Sequence, residues 1–301
     1  MIFTNQALAL FPPSLGQAIA QTQRDRDELV EEICCRIGRP PVLLTQENVY
    51  PAACRAVLPD DLDYLLERAT RASVYAAADQ IRQGYLQTAG GCRVGLCGCA
   101  YGQAAGQIDG IRQLSSVSVR IPHAVPGCAD ALVPQLMKDG FCSTLILSPP
   151  GGGKTTLLRD LIRVLSLGDA EHRALRVAVI DERCELAVCC KGRAQMELGN
   201  HTDVLSLCPK AVGIPMVLRG MNPQVIAVDE ITAEEDIRAM CLAANCGVGL
   251  LASIHAASVD ELHQKPLWRE LLRARVFRRC IVIRSNGGAR SYEVGDLPCS
   301  D

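Results

Sequence analysis

Aromatic residues are scarce: phenylalanine, tryptophan and tyrosine make up 4% of the 301 residues, and Trp268 is the single tryptophan. A core built from this chain must therefore be aliphatic, filled by leucine, valine, isoleucine and alanine. Neither sign of charge is in excess. The formal net charge of -2 excludes a global attraction to nucleic acid or acidic lipid, so any such contact has to be local. Long hydrophobic runs are missing too, since no apolar stretch approaches the roughly 18 residues of a membrane span. The start, Met1-Ile-Phe-Thr-Asn-Gln6, has no basic segment followed by a secretory apolar core, so the sequence predicts neither a span nor a leader. Cysteine is the reverse case. Sixteen occur between Cys34 and Cys299, yet no C-x-x-C spacing appears and the five histidines complete no zinc pattern. That scatter predicts reduced thiols acting as small hydrophobes in a cytosolic protein.

What is present is a glycine-rich stretch, Ser148-Pro149-Pro150-Gly151-Gly152-Gly153-Lys154-Thr155-Thr156. It follows the apolar run Ser143 to Leu147 and precedes a helix-forming run from Leu157 to Leu165. Strand, loop and helix form the context that a phosphate-binding loop requires. Glycines let successive backbone N-H groups and the positive end of the following helix face an anion, a geometry that side chains would obstruct. Lys154 is expected to reach the β and γ phosphates as a mobile point charge, and the Thr155 hydroxyl to ligate Mg²⁺. Ser148 stands where the G-x-x-x-x-G-K-[ST] pattern has its first glycine, and serine is small enough for the loop entry.

Such a loop needs a metal-holding carboxylate at the end of a neighbouring strand. Gln224-Val-Ile-Ala-Val-Asp229-Glu230 supplies a buried-strand run ending in two acids. Asp229 fits the Mg²⁺ partner, and Glu230 fits the group that polarises a water for hydrolysis. The expected ligands are thus a nucleoside triphosphate and Mg²⁺.

The length suits two domains. Residues 1–136 read as a smaller α+β domain: a charged helix over 15–37, a strand over 41–45, two helices over 60–83, and strands over 84–88, 92–97 and 115–120. A linker falls near residues 121–127. Residues 137–301 read as an α/β, RecA-like P-loop domain with a mainly parallel sheet. Its strands are expected at 143–148, 175–181, 224–229, 248–254 and 279–284, and its helices near 153–167, 232–246 and 258–277. If an additional strand lies between the loop strand and the Asp229 strand, as in P-loop hydrolases with a neighbouring catalytic glutamate, the 248–254 strand is the one expected there. That order would point Ser253 and His255 at the γ phosphate.

Three further stretches complete a pattern. Val179-Ile-Asp181-Glu182-Arg183-Cys-Glu185 ends a strand in acids; Leu218-Arg219-Gly-Met-Asn-Pro223 leads into the Asp229 strand; Ser253-Ile-His255 closes the next one. The order of phosphate loop, acidic box, Leu-Arg turn and histidine box resembles the type II and type IV secretion ATPases. Within that superfamily the chain resembles the stage III sporulation protein AA family over nearly its whole length. Matching stretches include Glu32 to Pro40, Gly90 to Gly98, Val119 to Ile121, Pro149 to Asp160, Val179 to Ala187, His201 to Leu205 and Cys208 to Ala211. Cys34-Cys35, Cys92 and His201 depart from the family pattern.

The resemblance implies an ATP-hydrolysing homo-oligomer, expected as a hexamer, in the cytoplasm of the mother cell during endospore formation. It would associate peripherally with integral membrane proteins of a channel to the forespore and either power or assemble that channel. Glu182 and Glu185 become acidic-box candidates for arranging water or metal, and His255 a γ-phosphate sensor. Arg93, Arg120, Arg183 and Arg219 are candidates for completing the site, with Arg120 preferred as a finger. Two other readings remain: a RecA-type nucleic-acid motor, for which no basic, aromatic-bearing groove is visible, and a non-hydrolysing ATP-dependent scaffold, against which Glu230 argues. The absence of L-S-G-G-Q disfavours an ABC transporter subunit.

Overall fold

A computed structural model describes residues 2–26, 28–45, 47–70, 77–88, 91–102, 108–138, 140–189, 192–286 and 289–297. The chain divides into two compact units: residues 1–123 with 190–193, and 124–189 with 194–301.

In the first unit, helices α1 (Ile2–Leu8) and α2 (Pro13–Arg24) lead into strands β1 (Glu32–Arg36), β2 (Val42–Leu44) and β3 (Val49–Pro51). Helices α3 (Pro59–Thr70) and α4 (Ala78–Arg82) follow, then strands β4 (Tyr85–Gln87), β5 (Arg93–Tyr101) and β6 (Gly110–Arg120). The sheet order is β3-β2-β1-β6-β5-β4, and neighbouring strands are antiparallel. Leu62 and Leu65 of α3 pack on Ile33, Val94, Val117 and Val119 in one aliphatic core. The expected helix over 15–37 is corrected here: it stops at Arg24, and Glu32–Arg36 is a strand. The charges of this segment suit a helix, but pairing with β2 and β6 buries Ile33 and Cys35 and overrides that propensity. Residues 71–76, within the two-helix stretch read from sequence, lie outside the described residues.

The second unit opens with a 3₁₀ turn at Asp130–Leu132 and helix α5 (Val133–Met137), then β7 (Thr144–Ser148), α6 (Lys154–Leu167), β8 (Val177–Asp181) and β9 (Thr202–Ser206). It continues through α7 (Lys210–Gly220), β10 (Val225–Val228), α8 (Glu234–Asn245), β11 (Gly249–His255), α9 (Val259–Leu262), α10 (Pro266–Arg273), β12 (Arg279–Asn286) and β13 (Ala289–Asp296). The seven strands lie in the order β13-β12-β7-β11-β10-β8-β9. Every neighbouring pair is parallel except β12 with β13.

Both faces of this sheet are covered, as a parallel sheet requires. Leu145 and Leu147 of β7, with Ile226 and Val228 of β10, face α7, α8 and α10. Ile146, one residue out of phase, faces Leu157, Leu158 and Leu161 of α6 on the other side. Ala129, Leu132 and Leu136 belong to that second cluster. For this reason the division falls at 123/124 instead of 136/137. The helix expected over 258–277 is also corrected. It is two short helices, because Pro266 has no N-H to continue α9 and instead opens α10. Strands β9 and β13 and helix α7 were not foreseen.

Candidate functional site

The loop between β7 and α6 holds Ser148 to Gly153 in the conformation that its composition allows. Gly151 and Gly153 have φ of +74° and +96°, left-handed values that favour glycine. A Cβ on Gly152 would collide with the Ser148 hydroxyl, which donates to the Pro149 carbonyl at 3.2 Å. Serine at the first position is thus accommodated because glycine stands at the fifth. Lys154 begins α6, and Thr155 and Thr156 follow within its first turn.

Lys154 is 6% exposed. Its Nζ donates to the carbonyls of Ser148 and Pro149, both at 3.1 Å, and to His255 Nδ1 at 2.7 Å. Three donors meet three acceptors. With the ammonium donating to Nδ1, the imidazole hydrogen belongs on Nε2, which lies 2.9 Å from Glu230 Oε1. Burial draws the Lys154 pKa below its ordinary 10.5, while the charges of Asp229 and Glu230 oppose that shift.

The two acids lie directly after β10. Thr155 Oγ1 donates to Asp229 Oδ2 at 3.1 Å, and Ser253 Oγ donates to Asp229 Oδ1 at 2.7 Å. The Glu230 N-H points at Asp229 Oδ1 (3.0 Å) and at the Ser253 hydroxyl (3.1 Å). Glu230 adopts φ +30°, an unusual value for a residue with a side chain. Its second oxygen accepts from Arg183 Nη1 at 3.1 Å. β11 lies between β7 and β10, so its last residues carry Ser253 and His255 to the loop and the acids together.

The acidic box behaves differently from its neighbours. Asp181 ends β8 and accepts the N-H groups of Glu185 (2.9 Å), Leu186 (3.1 Å) and Ala187 (2.8 Å). Burial pushes its pKa up, and those three amides pull it down. Arg159 of α6 braces the same turn, with Nε donating to the Leu186 carbonyl and Nη2 to the Glu185 carbonyl, both at 2.8 Å. Glu182 pairs with Lys210 of α7.

Of the residues singled out in the sequence, the structure gathers Lys154, Thr155, Asp229, Glu230 and His255, with Ser253 and Arg183 among them. Glu182 is engaged elsewhere. Arg120 and Arg93 belong to the first unit, where Arg120 pairs with Glu32 at 3.2 Å and Arg93 stacks 4.3 Å from the Tyr85 ring centre. The roles of Asp181 and Arg159 as organisers were missed: Asp181 was legible only as one acid of three, and Arg159 as one charge on a helix. Missed also was Arg290. A Cβ on Gly153 would stand 2.9 Å from its Cζ and 3.0 Å from its Nε and Nη1.

A lysine and threonine at the start of a helix, two acids after the strand next but one, and a mainly parallel α/β sheet lie on a fold shared with solved secretion and pilus ATPases. The solved ATPase DotB of Legionella pneumophila superposes with a TM-score of 0.60 over 90% of this chain and 78% of its own, at 16% identity. A pilus retraction motor, PilT with bound ADP, superposes with a TM-score of 0.64 over 93% of this chain and 82% of its own, at 15% identity. The chain belongs to the family described as sporulation stage III, protein AA, whose model matches residues 4–293. It is 34% identical to stage III sporulation protein AA of Bacillus subtilis (strain 168) over 294 residues, 97% of this chain and 95% of that protein.

Proposed function

We propose that the second unit binds ATP with Mg²⁺ and hydrolyses it, and that the chain works as a ring, a hexamer, on membrane proteins of a channel between mother cell and forespore. The observation that carries this reading is the Thr155–Asp229 contact at 3.1 Å beside the Lys154–His255–Glu230 chain. A triphosphate in the loop would take the place of the Ser148 and Pro149 carbonyls as acceptor for Lys154. The glycine cradle and the positive end of α6 suit its oxygens.

Thr155 and Asp229 fit Mg²⁺, since a hydroxyl and a carboxylate are hard oxygen donors. Such an ion neutralises charge on the β and γ phosphates. Ser253 holds Asp229 in place by its 2.7 Å hydrogen bond. Glu230 is the base. It accepts a proton from water as the water oxygen bonds to the γ phosphorus and the bond to the ADP oxygen breaks. His255, between Lys154 and Glu230, would turn its Nε2 hydrogen from Glu230 to a γ-phosphate oxygen. Arg183 balances the charge of Glu230. Glu182 and Glu185 remain the acidic-box candidates for arranging water or metal, and Arg120 the candidate finger.

The sporulation setting rests on the family, and the membrane partners and ring on the fold shared with secretion ATPases. Purified Lys154→Ala protein should lose ATP binding. Glu230→Gln should keep binding and lose at least about a hundredfold in turnover, the size of a general-base contribution. Undiminished hydrolysis by Glu230→Gln would refute the base.

A further inference from the structure

The phosphate loop has a second cation against it, at Gly153, on the β12–β13 side of β7. Strand β12 runs parallel to β7 with Val282 level with Leu147, and β13 returns antiparallel with Tyr292 opposite Ile283 and Arg290 opposite Ser285. Alternate residues of a strand share a face. Val294 and Tyr292 pack on the cluster that contains Leu157, Leu158 and Leu161 of α6. Arg290, the next on that face, occurs where the pattern has run apolar and meets the end of α6 instead, against Gly153.

That placement is electrostatically odd. A helix N-terminus carries partial positive charge and disfavours cations, so a guanidinium lodged at Gly153 is opposed there unless an anion joins it. Among the described residues Arg290 has no carboxylate ion-pair partner. Gly153 is constrained twice over, by its φ of +96° and by the guanidinium 2.9 Å from any Cβ. The loop and the arginine therefore fit each other as one site.

We propose that Arg290 binds the nucleotide in cis, at the α phosphate and ribose. This rests on the ATP-binding reading above. The assignment to that end of the ligand follows from the sheet: Thr155, Asp229 and Ser253 lie toward β11 and β10, where the γ phosphate and metal belong, and Arg290 lies across β7 on the opposite flank. Its fork of donors suits a phosphate oxygen as a surface lysine would not.

The test is equilibrium binding of ATP and of ADP to the full chain carrying Arg290→Gln, with Lys154→Ala and wild type alongside. Arg290→Gln should weaken ATP and ADP by the same factor, about tenfold or more, the size of a charge-assisted hydrogen bond, with Arg290→Lys intermediate. Unchanged affinity for both nucleotides, in a variant whose melting temperature matches wild type, overturns the proposal. So does a loss confined to ATP, which would make Arg290 a γ-phosphate residue. If wild type itself binds neither nucleotide, the ATP reading fails first, and the two failures are told apart by that control.

Discussion

At the residue scale the site is a chain of charges held in one order. Lys154 spends its three hydrogens on two carbonyls and His255, and Glu230 is shared between His255 and Arg183. Nothing in that arrangement leaves the ammonium free, so an arriving phosphate must offer more than the carbonyls do. The depressed pKa of Lys154 bears on this. Because burial lowers it below 10.5, the unfolded chain holds more protons than the folded one between the lowered value and 10.5. Stability from this group therefore rises with pH across that window. The proposed nucleotide binding has the opposite sign: phosphate oxygens would restore the charge, so ATP binding would take up a proton there, and affinity should fall as pH climbs through the lowered value. Calorimetry in buffers of different ionisation enthalpy would read the uptake. In Lys154→Arg protein, whose guanidinium does not titrate, the uptake should vanish.

At the element scale, β7, α6 and β10 carry the site, and these were the parts most readable in the sequence. The glycine run, Lys154-Thr155 and the Asp229-Glu230 pair are contiguous, each stating its chemistry in neighbouring residues, and the unbroken apolar runs before them announced buried parallel strands. The position of β11 between β7 and β10 was expected only by analogy with P-loop hydrolases, and the sheet has that order. What stayed hidden depends on pairing across distance. Glu32–Arg36 looked helical until β6 claimed it, and β9 and β13 are half-exposed strands whose polar residues mask their alternation. Arg290 could not be read at all, since its approach to Gly153 is set by hairpin register and by which face Tyr292 takes. The support beneath the loop is aliphatic, as the scarcity of aromatics required. Leu161 of α6 is fully buried among Ile146, Val179 and Leu251. Replacing it by alanine should cost about 2–5 kcal/mol, measured by urea unfolding, with Lys154 and Asp229 untouched. A loss well under 1 kcal/mol would mean that α6 is held by something other than this packing.

At the scale of the whole molecule, the chain is a family member almost end to end, matched over residues 4–293. Among the described residues no helix is long and apolar enough to cross a membrane. The proposed ring makes one further demand. If a neighbouring copy completes the ATPase site, the rate per subunit should rise with protein concentration in step with the mass of the particle in solution. A rate per subunit that is constant while the mass changes would remove the ring from the mechanism.

One strand, β11, ends in Ser253 and His255, two residues apart on the same pleat, the first tied to Asp229 and the second to Lys154. Any slide of that strand along its neighbours would unfasten the Asp229 carboxylate and the Lys154 ammonium in a single stroke. In the proposed ATPase, grip on the fuel and readiness to burn it would be geared together, and a force delivered to β11 from α9 beyond it would throttle both at once.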